Sequence, residues 1–404
     1  MGHARVSEAG TDIKRKRVPE IDFWRGFALI VILVDHVFGS ELDRLTPQNF
    51  GFSDAAEVFV FLSGVSVSLA YAPTLQKAGF GRLVKRCATR AGQLYLAQIA
   101  LVACSVAIPL AAAKAVGYDG IAPGHGLSRL VASPVSLLFG AVSLAYQPNF
   151  ANVLSLYVVL MLWAPVVIFL ASRSSTLALL ASITVYVAGR GRLGADGDGW
   201  YFNPFAWQLL FAMGLVSALR WRSGLPKLRR PLAVLALAII LGAAILSIKA
   251  MGLRAAAFAH LDLDKHNLGL MRLAHFLALA YVTSAVAVVE PWAARMTRIV
   301  GGHIGQSLQG MGRNSLLFFA LGTVASAGGR ALMAAAHSMA APHLSIHLIG
   351  LVYTAAAVIG MFAIVNRMER IARPRGASPE NGNASTVPIN SLRPEAHDSV
   401  VATF

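Results

Sequence analysis

Charge is what this sequence has least of. Asp, Glu, Lys and Arg make up 13% of its 404 residues, against 56% hydrophobic, whereas a water-soluble domain carries about a quarter charged residues. Acids are the scarcer sign, with 19 Asp and Glu facing 35 Lys and Arg. Cysteine is nearly missing. Cys87 and Cys104 alone leave neither a disulfide framework nor a zinc-type spacing. No repeat of fixed period runs through the chain, no polar stretch is large enough to work as a soluble domain, and no metal or redox signature is present, so no bound cofactor is expected.

What the chain has instead is a series of apolar runs, most of them close to the 20 residues that a bilayer-crossing helix needs. The formal net charge of +16 does not mark a nucleic-acid binder, because the basic residues form no stripe. They cluster in short loops between apolar runs, which is the positive-inside pattern. The expected fold is therefore all-α: a polytopic integral membrane protein of about ten transmembrane helices, with both termini cytoplasmic. The spans read as about 21–40, 54–72, 91–113, 151–171, 175–189, 204–220, 231–250, 268–289, 314–333 and 345–365. The shorter apolar stretch 133–146 reads as interfacial or re-entrant.

Residues 1–20 form a basic cytoplasmic segment with Lys14-Arg15-Lys16-Arg17, 21–370 the transmembrane domain, and 371–404 a cytoplasmic tail too polar to fold alone. No separate short h-region and cleavage site precedes the first run, which reads as a retained signal-anchor. A cytoplasmic loop is expected around Lys77, Arg82, Lys85, Arg86 and Arg90. A further cytoplasmic stretch, with a surface helix, is expected over 291–313. Outer loops are expected to hold Asp119 and His125, and then His260, Asp262, Asp264 and Lys265.

Chemistry concentrates on the first span. Arg25 and His36 are three turns apart, which puts them on one face to within about 20° and separates them by roughly 16 Å. Ionisable groups inside a bilayer are costly and by default mark a polar cavity or pathway. Asp35 points about 100° away from His36 and is placed to orient a partner or to bind a substrate hydroxyl. Glu57, Arg272 and His275 are the other ionisable groups of interest within spans. Glu57 reads equally as the structural partner of a span arginine. Trp207 and Gln208 suit a sugar, by stacking and hydrogen bonding, and suit an interfacial aromatic belt nearly as well. Asn314 and Ser315 suit the N-cap of the ninth span.

The Arg25-(ten residues)-His36 spacing resembles the Arg-X10-His motif of the acyltransferase-3 family of membrane acyltransferases. The wider run Ile21-Asp22-Phe23-Trp24-Arg25-Gly26 with Asp35-His36 is closer to its OpgC branch, succinyltransferases of osmoregulated periplasmic glucans. The same is true of Asn49–Gly64, Gln147-Pro148-Asn149-Phe150, Asn203–Phe211, Arg272-Leu273-Ala274-His275-Phe276 and Gly312-Arg313-Asn314-Ser315. Asn152 stands where the branch would lead one to expect an aspartate, which bears on the acceptor.

The resemblance implies a multi-pass protein of the bacterial inner membrane. It implies transfer of an acyl group, succinyl in the branch, from cytoplasmic acyl-CoA to a hydroxyl of a periplasmic glucan or other glycan. His36 is then the general base and Arg25 positions the donor or the acyl group, with Asp35 beside them. Asp22, Trp24, Glu57, Asn152, Asn203, Trp207, Gln208, Arg272 and His275 are the candidate substrate-binding residues. The partners are acyl-CoA, the glycan acceptor and the lipid bilayer, with no nucleic acid. The alternative is a transporter exporting a glycan, lipid or small anion through the same polar cavity, although the inverted repeats common in such folds are not evident.

Overall fold

The computed structural model describes residues 18–37, 41–117, 134–147, 151–190, 200–221, 228–249, 261–287, 289, 291–339 and 343–372. The basic segment ahead of Val18, Pro148–Phe150, Asp119, His125, His260 and the tail from 373 onward lie outside the described residues. Among those described, the fold is all-helical, with no strand. In chain order the helices are α1 (Pro19–His36), α2 (Ala55–Val116), α3 (Pro134–Val142), α4 (Asn152–Arg173), α5 (Ser175–Gly189) and α6 (Pro204–Arg220). They continue with α7 (Arg230–Lys249), α8 (Leu270–Val286), α9 (Trp292–Gly301), α10 (His303–Arg313), α11 (Ser315–Ser338) and α12 (His343–Ala372). Two 3-10 turns, Glu41–Leu45 and Pro47–Asn49, join α1 to α2.

By length and composition, α2, α4, α7, α11 and α12 are long and apolar enough to cross a membrane, and α5, α6 and α8 are shorter apolar helices. All ten stretches read as spans fall on helix. α1 is not among the five long apolar helices: within its 18 residues it carries Glu20, Asp22, Arg25 and Asp35. Such a helix is held by its neighbours instead of by lipid. Ile21, Phe23, Gly26, Ala28, Leu29, Val31 and Leu33 are accordingly buried. α7 is the opposite case. Leu232, Val234, Leu235, Leu237 and Leu241 are all exposed, a surface suited to hydrocarbon.

The loop expected between the second and third spans is helix. α2 runs through Lys77–Arg90, interrupted only at Gly79, whose φ of 76° a side chain would resist. The segment is amphipathic: Leu83, Cys87, Ala91 and Leu94 are buried at helical spacing, while Arg82, Lys85, Arg86 and Arg90 stay outside the core. The expected surface stretch 291–313 is two amphipathic helices, and the second of them, α10, is a packing partner of α1. The stretch 133–146 contains α3, nine residues long and too short to cross.

Two close crossings set the frame. Gly64 of α2 lies against the Phe211 carbonyl of α6, and Gly214 of α6 against the Phe61 carbonyl of α2, so each backbone occupies the space where the other would have a Cβ. Gly26 of α1 and Gly312 of α10 repeat the device, meeting Leu308 and Asp22. Small residues at crossings allow the backbone-close packing that holds helices together in lipid.

Candidate functional site

The sequence stretches that carry the resemblance meet in pairs. Gly312-Arg313-Asn314-Ser315 closes on the first helix: Gly312 packs on Asp22, and Arg25 Nη2 donates to Ser315 Oγ at 2.5 Å. Arg25 Nε is buried without a hydrogen-bond partner. Asn314 stands at the N-cap position of α11 but does not cap it. Its Nδ2 donates backward to the Gly310 carbonyl at 2.9 Å. Trp24 is half-buried on α1, with Phe23 and Phe27 edge-on to its ring.

Beyond Arg25, α1 and α11 border a small cleft of about 20 Å3 lined by Leu29, Ile32, Leu33 and His36 from α1, by Phe318, Phe319, Gly322, Thr323 and Ser326 from α11, and by Val153 from α4. The walls are apolar but for Thr323, Ser326 and His36, which stands at the last turn of α1. His36 Nδ1 lies 2.5 Å from the Ile32 carbonyl. A carbonyl only accepts, so Nδ1 carries the proton and the neutral ring keeps its lone pair on Nε2. Asn152, the residue before Val153 and the first of α4, is buried at the edge of this region.

The second pair of stretches forms a charged knot at the His36 end. Asp54 and Glu57 make a reciprocal capping box at the start of α2: Ala56 N–H donates to Asp54 Oδ1 and Asp54 N–H to Glu57 Oε2, each at 2.8 Å. Their remaining oxygens face cations. Arg272 Nε donates to Glu57 Oε1 at 2.8 Å and its Nη2 to Asp54 Oδ2 at 3.0 Å, while Lys265 Nζ reaches the same Oδ2 at 2.6 Å. Glu57 is wholly buried, a position a carboxylate tolerates only when paired and hydrogen-bonded. Of the two sequence readings of Glu57, partner of a span arginine is the one the geometry contains. Asp54 and Lys265 also act electrostatically on both Asp35 and His36, and Thr46 lies against the Asp35 side chain. The knot is thus continuous with the end of α1.

His275 is buried in the same knot, but its chemistry is spent. Its Nδ1 accepts from the Ser53 backbone N–H at 3.2 Å and from Ser53 Oγ at 2.7 Å. The ring packs on Gly51 and Phe52.

Asn203, Trp207 and Gln208 are brought together elsewhere, beneath the loop 261–269. Asn203 caps α6 through Phe205 N–H at 3.0 Å and donates to Gly189 and Asn267. Trp207 is fully enclosed, its Nε1–H shared by the Lys265 and His266 carbonyls at 3.1 and 3.2 Å. Gln208 donates to the Ser182 carbonyl at 2.7 Å. Neither side chain lies at a belt or in the cleft. Trp207 pins the loop that carries Lys265, and Gln208 ties α6 to α5. Arg190 and Asp262 close that loop, and Leu268, at a φ of 48°, turns it into α8.

Burial works against the Lys265 ammonium, but Asp54 outweighs it and holds the amine above its usual range, so Lys265 is charged at neutral pH. Lys265, Asp54 and Ser53 were not singled out as site residues from the sequence, and Ser315 was read there as an N-cap. No cluster of metal-ligating side chains occurs among the described residues.

No curated protein matches the sequence at a significant level. Residues 17–366, from the head of α1 nearly to the end of α12, match the family described as OpgC protein. The matched region holds the Arg25–His36 helix, the cleft and the charged knot, and this helical membrane protein belongs to the OpgC family.

Proposed function

We propose that the protein is a glucan-modifying O-acyltransferase of the bacterial inner membrane, crossing it ten times with both termini cytoplasmic. It moves an acyl group, succinyl by family resemblance, from cytoplasmic acyl-CoA to a hydroxyl of a periplasmic glucan. The observation that carries this reading is the 2.5 Å contact between His36 Nδ1 and the Ile32 carbonyl. A base for a hydroxyl proton needs an acceptor nitrogen, and the Ile32 carbonyl, which can only accept, leaves the lone pair on Nε2, the nitrogen away from the helix backbone. Arg25, about 16 Å down the same helix face, suits the more polar part of the donor.

In this mechanism Nε2 of His36 takes the proton of the acceptor hydroxyl as its oxygen attacks the thioester carbonyl. The new ester C–O bond forms, the C–S bond breaks, and the imidazolium returns the proton to the departing thiolate. Asp35 and the Asp54–Lys265 pair flank the acceptor hydroxyl. Asp22 and Trp24 shape the donor end, and Asn152 borders the acceptor. Glu57, Arg272 and His275 hold the knot in place, Asn203 and Trp207 support it through the Lys265 loop, and Gln208 joins α6 to α5.

Mass spectrometry of periplasmic glucans from cells with the wild-type gene, with His36→Ala and with no copy tests this. Acyl increments present only with the wild type support the reading. Glucans of unchanged mass but altered periplasmic amount contradict it and favour export.

A further inference from the structure

The stretch between α8 and α11 carries a surface that the reaction described above does not use. α9 and α10, at 10 and 11 residues, are too short to cross a bilayer. They stay on the membrane face where α8 ends and α11 begins. α1 starts from that same face, because Gly312 of α10 packs on Asp22 in the first turn of α1. The topology proposed above makes it cytoplasmic. Around α9, at 100° per residue, the side chains fall into three adjoining sectors. Ala293 and Val300 are buried and Met296 packs on the core. Trp292 and Ile299 come next, within about 20° of each other, and both are about half exposed. Arg295 and Arg298 follow, about 40° and 100° beyond Ile299, and both are exposed. The Arg295 guanidinium lies over the Trp292 ring, 4.9 Å from its centre.

Core, exposed apolar flank, basic edge is the order around a helix that lies in the plane of the membrane interface, with Trp and Ile reaching the acyl chains and Arg the headgroups. The charge is of one sign. Residues 291–313 include three arginines and no Asp or Glu. Arg313 is engaged by Glu369, whereas no carboxylate among the described residues pairs with Arg295 or Arg298. A soluble phosphate compound would use the two arginines but not the exposed Trp292 and Ile299 beside them; a phospholipid uses both. We propose that this face of α9 is a docking site for anionic phospholipid headgroups of the cytoplasmic leaflet. It stands whether or not the chain transfers acyl groups.

The test places the full chain in nanodiscs of phosphatidylcholine and phosphatidylglycerol in equal parts, brominated near the glycerol on one lipid or on the other. Trp292 emission is read as the difference between the wild type and Trp292→Phe. Bromine on phosphatidylglycerol is expected to quench Trp292 more strongly than bromine on phosphatidylcholine, reporting an enrichment of about 10- to 30-fold from two interfacial arginines. Arg295→Gln/Arg298→Gln is expected to equalise the two lipids, and Arg295→Lys/Arg298→Lys to keep most of the preference, because the attraction needs only the charge. Equal quenching of the wild type by both lipids overturns the proposal. It does so in favour of a soluble phosphate if coenzyme A binds the wild type and not the double glutamine variant. Quenching by neither lipid puts α9 away from the bilayer and also overturns it. A phosphatidylglycerol preference that survives in the double glutamine variant overturns the role given to the arginines.

Discussion

His36 and His275 are held in opposite tautomers. The first donates through Nδ1 to the Ile32 carbonyl at 2.5 Å, whereas the second accepts at Nδ1 from the Ser53 backbone N–H at 3.2 Å. One imidazole keeps a lone pair on Nε2, and the other has its lone pair occupied by the chain. Substitution should separate them. His36→Ala is expected to cost 10²- to 10⁴-fold in kcat, the usual worth of a positioned base. His275→Asn, whose Oδ1 can still accept from Ser53, is expected to retain most of the activity and to lose about 1 kcal/mol of stability. Initial rates and thermal unfolding of the two variants, measured side by side, check both statements.

Glu57 and Arg272 predict a different pattern. Truncating Glu57 strands a buried guanidinium with Asp54 as its remaining carboxylate, and Glu57→Ala should destabilise by about 3–5 kcal/mol. Replacing both with apolar residues of similar volume should cost less than the two single losses combined. Thermal unfolding of the two single variants and the double variant in the same detergent gives the coupling.

The helices were legible in the sequence because lipid and core demand apolar runs of characteristic length, and the first helix stood out because its charges break that rule. The residues around it were harder to read. Glu57 and Arg272 are far apart in the chain, and only the fold could decide between ligand and ion pair. Trp207 looks the same in sequence whether it stacks on a sugar or, as here, holds two loop carbonyls. Lys77–Arg90 read as a loop because their charges mask a buried stripe at Leu83, Cys87, Ala91 and Leu94. The Lys265–Asp54 bond joins a loop to a helix cap, a pairing with no local sequence signal.

The reciprocal Gly64 and Gly214 contacts leave no space for a side chain on either helix. Gly214→Val should force α2 and α6 apart, and overpacking of this kind costs about 1–3 kcal/mol or more where backbone must move. A fall in the yield of monodisperse protein, absent from Gly242→Val on the open face of α7, is the expected result.

Asp262 predicts a pH dependence for the Lys265 loop. Burial disfavours its ionised form, but the Arg190 side chain and the Leu270 N–H outweigh that and hold the carboxyl below its ordinary range. A native pKa below the unfolded value of about 3.9 means the stabilisation is complete above that pH and is lost as pH falls through the native value. Asp262→Asn should therefore unfold a few degrees lower at pH 7, a modest effect for a partly exposed pair. The difference from the wild type should narrow toward pH 3. Thermal scans across that range measure it.

The decisive measurement is transfer of labelled succinyl from CoA to periplasmic glucan by the purified protein, with thiol release followed in the same reaction. The wild type should form labelled glucan and free CoA one for one, and His36→Ala should lower both at least about 100-fold. Undiminished transfer by a folded His36→Ala protein would contradict the role given to His36. Absence of transfer by the wild type would contradict the enzyme itself.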